Sequence, residues 1–70
     1  MVEKRTNNFL GHDITIEKID GKFVRGFCVN ETKDGLLINP KNNYSYSDRF
    51  VFIPFSQIKE AFYEVEGGNK

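Results

Sequence analysis

Scarcity defines this chain first. One cysteine, Cys28, in 70 residues cannot close an internal disulfide, and one histidine, His12, beside it cannot furnish the usual four-ligand zinc site. Ten basic and ten acidic residues cancel. The strong positive field of many nucleic-acid binders is therefore missing, and only local basic patches remain. No apolar run approaches the roughly 18 residues of a membrane span, and no signal-peptide pattern is present. A single thiol suits a reducing compartment, so the expected location is cytoplasmic. Glycine-rich phosphate loops, repeats and low-complexity segments are lacking too. No cofactor, metal, membrane or small-molecule substrate is implied.

Shortness adds a constraint. Seventy residues make one domain, and a chain of this size buries only about 60% of its unfolded surface. Disulfides, a metal or association usually supply the missing stability. The first two are excluded here, which leaves association, and a homo-oligomer is the expectation.

What is present is β-forming. Asp13-Ile14-Thr15-Ile16-Glu17 alternates polar and apolar residues, the period of a half-buried strand. Asp20-Gly21 then offers the positive φ that a tight turn needs. In the second strand, Lys22 to Glu31, Val24, Gly26 and Cys28 share one face. Phe23, Arg25, Phe27 and Val29 share the other, and apolar residues on both faces predict that both are covered. Gly26 inside the strand predicts a bend or a close backbone approach. Lys33-Asp34-Gly35 is a second turn, and Leu36-Leu37-Ile38-Asn39 a third strand that Pro40, lacking an N–H, should limit. Residues 41–48 read as a polar connection carrying Tyr44 and Tyr46.

The densest aromatic and β-branched run, Arg49 to Ile58, supplies strands four and five around Pro54 to Gln57. Alternation in Ala61, Tyr63 and Val65 extends the fifth. The expected architecture is all-β, a five-stranded small barrel of SH3-like or OB-like type. It occupies 9–66. Residues 1–8 form a tail or a short helix that Gly11 would stop, and 67–70 a disordered tail.

Leu10-Gly11-His12-Asp13-Ile14-Thr15-Ile16, then Asp20-Gly21 and Val24-Arg25-Gly26, resemble the first motif of the Sm-like (LSm) family. Val51-Phe52-Ile53-Pro54 and Ser56-Gln57-Ile58 resemble its second. The resemblance covers most of 9–65. It implies a non-enzymatic ring in which strands four and five meet across subunits, with Phe50, Val51, Phe52, Ile53, Ile58 and Phe62 at the oligomer interface. It also implies single-stranded RNA or a ribonucleoprotein as partner. Two departures stand out. Where uridine-binding members carry an Asp-x-x-x-Asn-type segment, this chain has Asn30-Glu31-Thr32-Lys33-Asp34-Gly35. Where they carry Arg-Gly, it has Pro54-Phe55, which removes a cationic planar donor.

The RNA-binding candidates are accordingly Phe55, Lys33 and Asn30 in the matching loops, with Tyr44 and Tyr46 at the periphery. Near Lys41 and Arg49 these tyrosines could stack bases; the plainer reading is a solvated hairpin end. Phe23 and Phe27 around Arg25 suit a subunit contact, or packing beneath the N-terminal segment. The alternative function is a structural or protein-interaction module with an SH3-like barrel that has lost RNA recognition. His12-Asp13 and Cys28 show no spacing that would join a base to a nucleophile, and Cys28 reads as a small buried hydrophobe.

Overall fold

A computed structural model describes residues 2–42 and 45–66. The protein is all-β. Seven strands are described: β1 (Val2–Arg5), β2 (Asp13–Lys18), β3 (Phe23–Glu31), β4 (Gly35–Asn42), β5 (Ser45–Tyr46), β6 (Val51–Pro54) and β7 (Ile58–Glu66). A 3₁₀ turn, Phe55–Gln57, separates the last two. All pairings are antiparallel. The sheet runs β1-β7-β2-β3-β4-β5, and β6 also pairs with β4. No helix of the described residues is long and apolar enough to cross a membrane.

The sheet curls. β6 and β7 lie on opposite flanks of β2-β3-β4, yet Ile53 and Tyr63 belong to one buried cluster with Ile14, Ile16, Cys28, Leu36 and Ile38. Two sequence-encoded devices and two others produce the curvature. Gly26 faces Pro40 across the ladder; a Cβ there would sit 2.7 Å from Ile38 Cγ2 and 2.8 Å from the Pro40 Cα. Gly21 adopts φ +86°, and its N–H donates to the Lys18 carbonyl at 2.9 Å. Register shifts between Cys28 and Asn30 and between Glu17 and Lys18 add β-bulges, which bend strands and increase twist.

Three expectations need correction. Seven strands replace five. The five expected ones correspond to β2, β3, β4, β6 and β7, while β1 and β5 are additional. Residues 2–5 form no helix: they pair with Tyr63–Glu66 of β7, and Lys4 reaches Glu60 at 2.9 Å and lies 4.3 Å over the Phe62 ring. Tertiary pairing overrides the helix propensity of Glu3-Lys4-Arg5. Gly11, at φ +84°, serves a turn in which His12 donates to the Phe9 carbonyl. That turn drops Phe9 into the core against Tyr63, whose ring His12 stacks at 4.1 Å.

Pro40 does not end its strand either. A residue's N and carbonyl point to the same side of a strand, and the Pro40 carbonyl accepts from Ser47 N at 2.7 Å. The missing N–H therefore faces away from β3, where no ladder bond is lost. The outer face of β3 is also uncovered: Phe23 is 62% exposed, and Phe27 and Val29 are exposed as well. The N-terminal segment pairs with β7 and leaves these rings open.

Cys28 is fully buried. Burial, then the nearby Glu31 carboxylate, raises its pKa above the ordinary thiol value, while a hydrogen bond with the Asn30 backbone works the other way. The thiol is protonated at neutral pH and sheltered. A disulfide-exchange reagent at pH 7 is expected to label Cys28 only as fast as the chain unfolds. Labelling within the mixing time, in folded protein, would contradict this placement.

Candidate nucleic-acid interface and assembly edges

The loop candidates come together at one end of the molecule. The β3–β4 turn is closed by Thr32, whose Oγ1 accepts from Asp34 N and Gly35 N at 3.1 Å and donates to the Gly35 carbonyl at 3.0 Å. Phe55 N donates to the Asp34 carbonyl at 2.9 Å, which docks the 3₁₀ turn on this turn. Gly35 faces Pro54 across the ladder. Its missing Cβ lets the chains approach, since one there would lie 2.8 Å from Phe52 Cζ.

Lys33 and Phe55 thus sit on adjoining turns, both exposed. Asn30 is exposed too, but its Oδ1 accepts from Glu31 N at 2.9 Å, leaving the side-chain N–H₂ as its open group. Electrostatically the cluster is weak, with Lys33 between Glu31 and Asp34 and no arginine nearby in the sequence.

Tyr46 lies elsewhere. Its hydroxyl donates to Asp13 Oδ1 at 2.6 Å, its ring meets Phe27 edge-on at 6.4 Å, and Lys41 Nζ stands 5.6 Å from its centroid. The structure separates it from the loop cluster. Tyr44 lies outside the described residues. The hydrogen bond to Asp13 raises the Tyr46 pKa above 10.0, with desolvation and the Asp13 charge adding to it. The sign follows: the tie is intact below pH 10 and is lost as the phenol ionises at its raised value. A spectrophotometric titration should show a phenol phase above pH 10 that disappears in Tyr46→Phe. Loss in the variant of a phase at the ordinary phenol value of about 10, and not above it, would show that the bond does not form.

The six interface candidates divide. Phe50 (59%), Val51 and Phe52 are exposed on and before β6. Ile58 and Phe62 on β7 are half-buried, with Phe62 beneath Lys4. Ile53, at 3%, is taken up by the core and cannot face a neighbour. Alternation separates Ile53, opposite buried Leu36, from Phe52, opposite half-buried Leu37, whereas Val51, of the same parity as Ile53 and opposite buried Ile38, is exposed at the strand's start.

Backbone pairing adds a feature that side-chain patterns did not announce. β6 pairs only with β4, and residues 58–62 of β7 pair only with β2. Each strand therefore keeps one edge without a strand partner among the described residues. The 3₁₀ turn lies between them, anchored by Gln57 O accepting from Ile19 N at 3.0 Å.

No family model matches the chain, and no curated protein or solved structure matches it.

Proposed function

We propose that this chain is a divergent, non-enzymatic Sm-like protein that assembles head-to-tail, the β6 edge of one copy pairing with the β7 edge of the next. The observation that carries the reading is the pair of unpartnered edges flanking the 3₁₀ turn. Unpaired strand edges template addition of another strand, and an interface between two different surfaces closes into a ring or runs on as a filament. Further support comes from the order β7-β2-β3-β4-β6 and from the short turn before the last strand, as expected of an Sm-like or SH3-like barrel.

Within that assembly, the adjoining turns that hold Lys33 and Phe55, with Asn30 at the base of the first, form the surface for single-stranded RNA or a ribonucleoprotein. Stacking on Phe55 would contribute about 1–3 kcal/mol per base. Filter binding against oligo-U and oligo-A at low salt tests this, and no retention of either at micromolar protein would end the RNA reading.

A second reading has its own observation. The polar groups of the β3–β4 turn are largely satisfied within it, and its one cation is flanked by two carboxylates. That favours an assembled protein-interaction module without RNA recognition. Assembly without retention of RNA would select it.

A further inference from the structure

The outer face of the sheet carries a second constellation, remote from the turns. Register places Thr15 opposite Arg25 and Lys41 opposite Tyr46. The β3–β4 ladder ends at Gly26–Pro40, and the register continued by one step would bring Lys41 beside Arg25, in keeping with the cleft that both residues line. One row across β2, β3, β4 and β5 therefore reads Thr15, Arg25, Lys41, Tyr46.

Arg25 and Lys41 line a common cleft with Asp13, Ile14, Thr15 and Gly26. Among the described residues the ion pairs are Lys4–Glu60, Arg5–Glu3 and Lys59–Glu17, none of which uses Arg25 or Lys41. Like charges on adjacent strands destabilise a sheet when nothing stands between them. An anion seated in the cleft removes that penalty, and a planar guanidinium beside an ammonium is a phosphate-binding pair.

The remaining groups narrow the ligand. Tyr46 and Phe27 present a ring pair at the rim, suited to a base. Asp13 gives one oxygen to the Tyr46 hydroxyl, and its other oxygen can accept from a sugar hydroxyl or an exocyclic amine. We propose that this cleft is a nucleotide subsite: phosphate on Arg25 and Lys41, base on the Tyr46–Phe27 rim, and a ribose or base N–H/O–H on Asp13. Arg25 lies about 16 Å along β3 from Asn30, at ~3.3 Å per residue. The subsite is thus separate from the turn cluster and complete within one copy.

Residue-resolved NMR titration at low salt tests it, because the amides of Gly26, Lys41 and Tyr46 report whatever the oligomeric state. UMP, AMP and inorganic phosphate are expected to shift these signals, and uridine to do so at least about ten-fold more weakly, or ~1.4 kcal/mol. Arg25→Gln with Lys41→Gln should weaken all three phosphates about ten-fold or more with an unchanged circular dichroism spectrum. Tyr46→Ala should weaken the nucleotides while sparing inorganic phosphate. An octauridylate bound over ten-fold tighter than UMP identifies RNA as the source, and equal affinity identifies a free nucleotide; both uphold the subsite. Absence of shifts at about 10 mM UMP, or shifts indifferent to the double substitution, overturns it. Loss of RNA binding at Lys33 and Phe55 alone would leave these shifts intact, so the two sites fail separately.

Discussion

Gly26→Val is expected to abolish folding at 25 °C, and Gly26→Ala to cost about 3 kcal/mol or more. A side chain at this position meets backbone on two counts, the Asn39 carbonyl and the Pro40 Cα, with Ile38 Cγ2 at 2.7 Å as the third obstacle. Overpacking against movable side chains typically costs about 1–3 kcal/mol. Here the obstacle is the adjacent ladder, so relief requires β3 and β4 to separate at the start of their pairing. For a chain of this length the total stability is on the order of 4–10 kcal/mol, which the valine should consume.

Gly21→Ala provides the contrast. Gly21 has open space around it but φ +86°, so only backbone strain is added, about 1 kcal/mol. Leu36→Ala, at a fully buried position, should fall between or above them at roughly 2–5 kcal/mol. Urea denaturation followed by circular dichroism ranks the series. If Gly26→Ala costs no more than Gly21→Ala, the close approach of β3 to β4 is wrong.

Gly26 and Asp20-Gly21 were legible in the sequence because glycine's role there is local: one omitted side chain, one left-handed φ. Alternation at Ile14/Ile16 and Cys28 likewise named core positions that are buried. What stayed hidden depended on partners far along the chain. Val2–Arg5 has no strand period of its own and becomes a strand because β7 supplies the ladder. Pro40 looked like a stop because a sequence does not say which side of a strand carries the bonds. In the run Phe50-Val51-Phe52-Ile53 both alternate sets are apolar, so periodicity could not tell that Ile53 is the buried member. The bulges at Val29 and Lys59 left no compositional trace.

The sites show the same division. Lys33 and Phe55 could be placed on neighbouring turns from a strand pattern, and the bond from Phe55 N to the Asp34 carbonyl joins those turns. The link from Tyr46 to Asp13 spans 33 positions, and the row that sets Lys41 beside Arg25 exists only once β3 and β4 are in register. A basic-aromatic cluster near Tyr46 was visible in outline. Lys41 is close to Tyr46 in the sequence, but Arg25 is 21 positions away and by spacing alone suits a subunit contact.

If the chain assembles through the β6 edge as proposed, Phe50→Lys with Val51→Lys is expected to yield a species with the mass of a single chain. Both positions are exposed at the start of the β6 edge, so the charges cost little in the isolated fold. Across a paired edge they would be desolvated against apolar neighbours, and charged side chains on edge strands are the usual barrier to strand addition. A loss of at least about a hundred-fold in association, near 3 kcal/mol, is the expected scale. Sedimentation equilibrium across a dilution series reads it directly, with Thr6→Lys, at an exposed position outside both edges, as the matched control. Wild-type chain that sediments as a clean monomer at high concentration would remove edge pairing and the ring with it. Wild-type oligomer that survives both lysines would instead move the contact to the outer aromatic face, where Phe23 and Phe27 stand exposed. The β6 edge carries the assembly only if the charges there, and not the control, release the single chain.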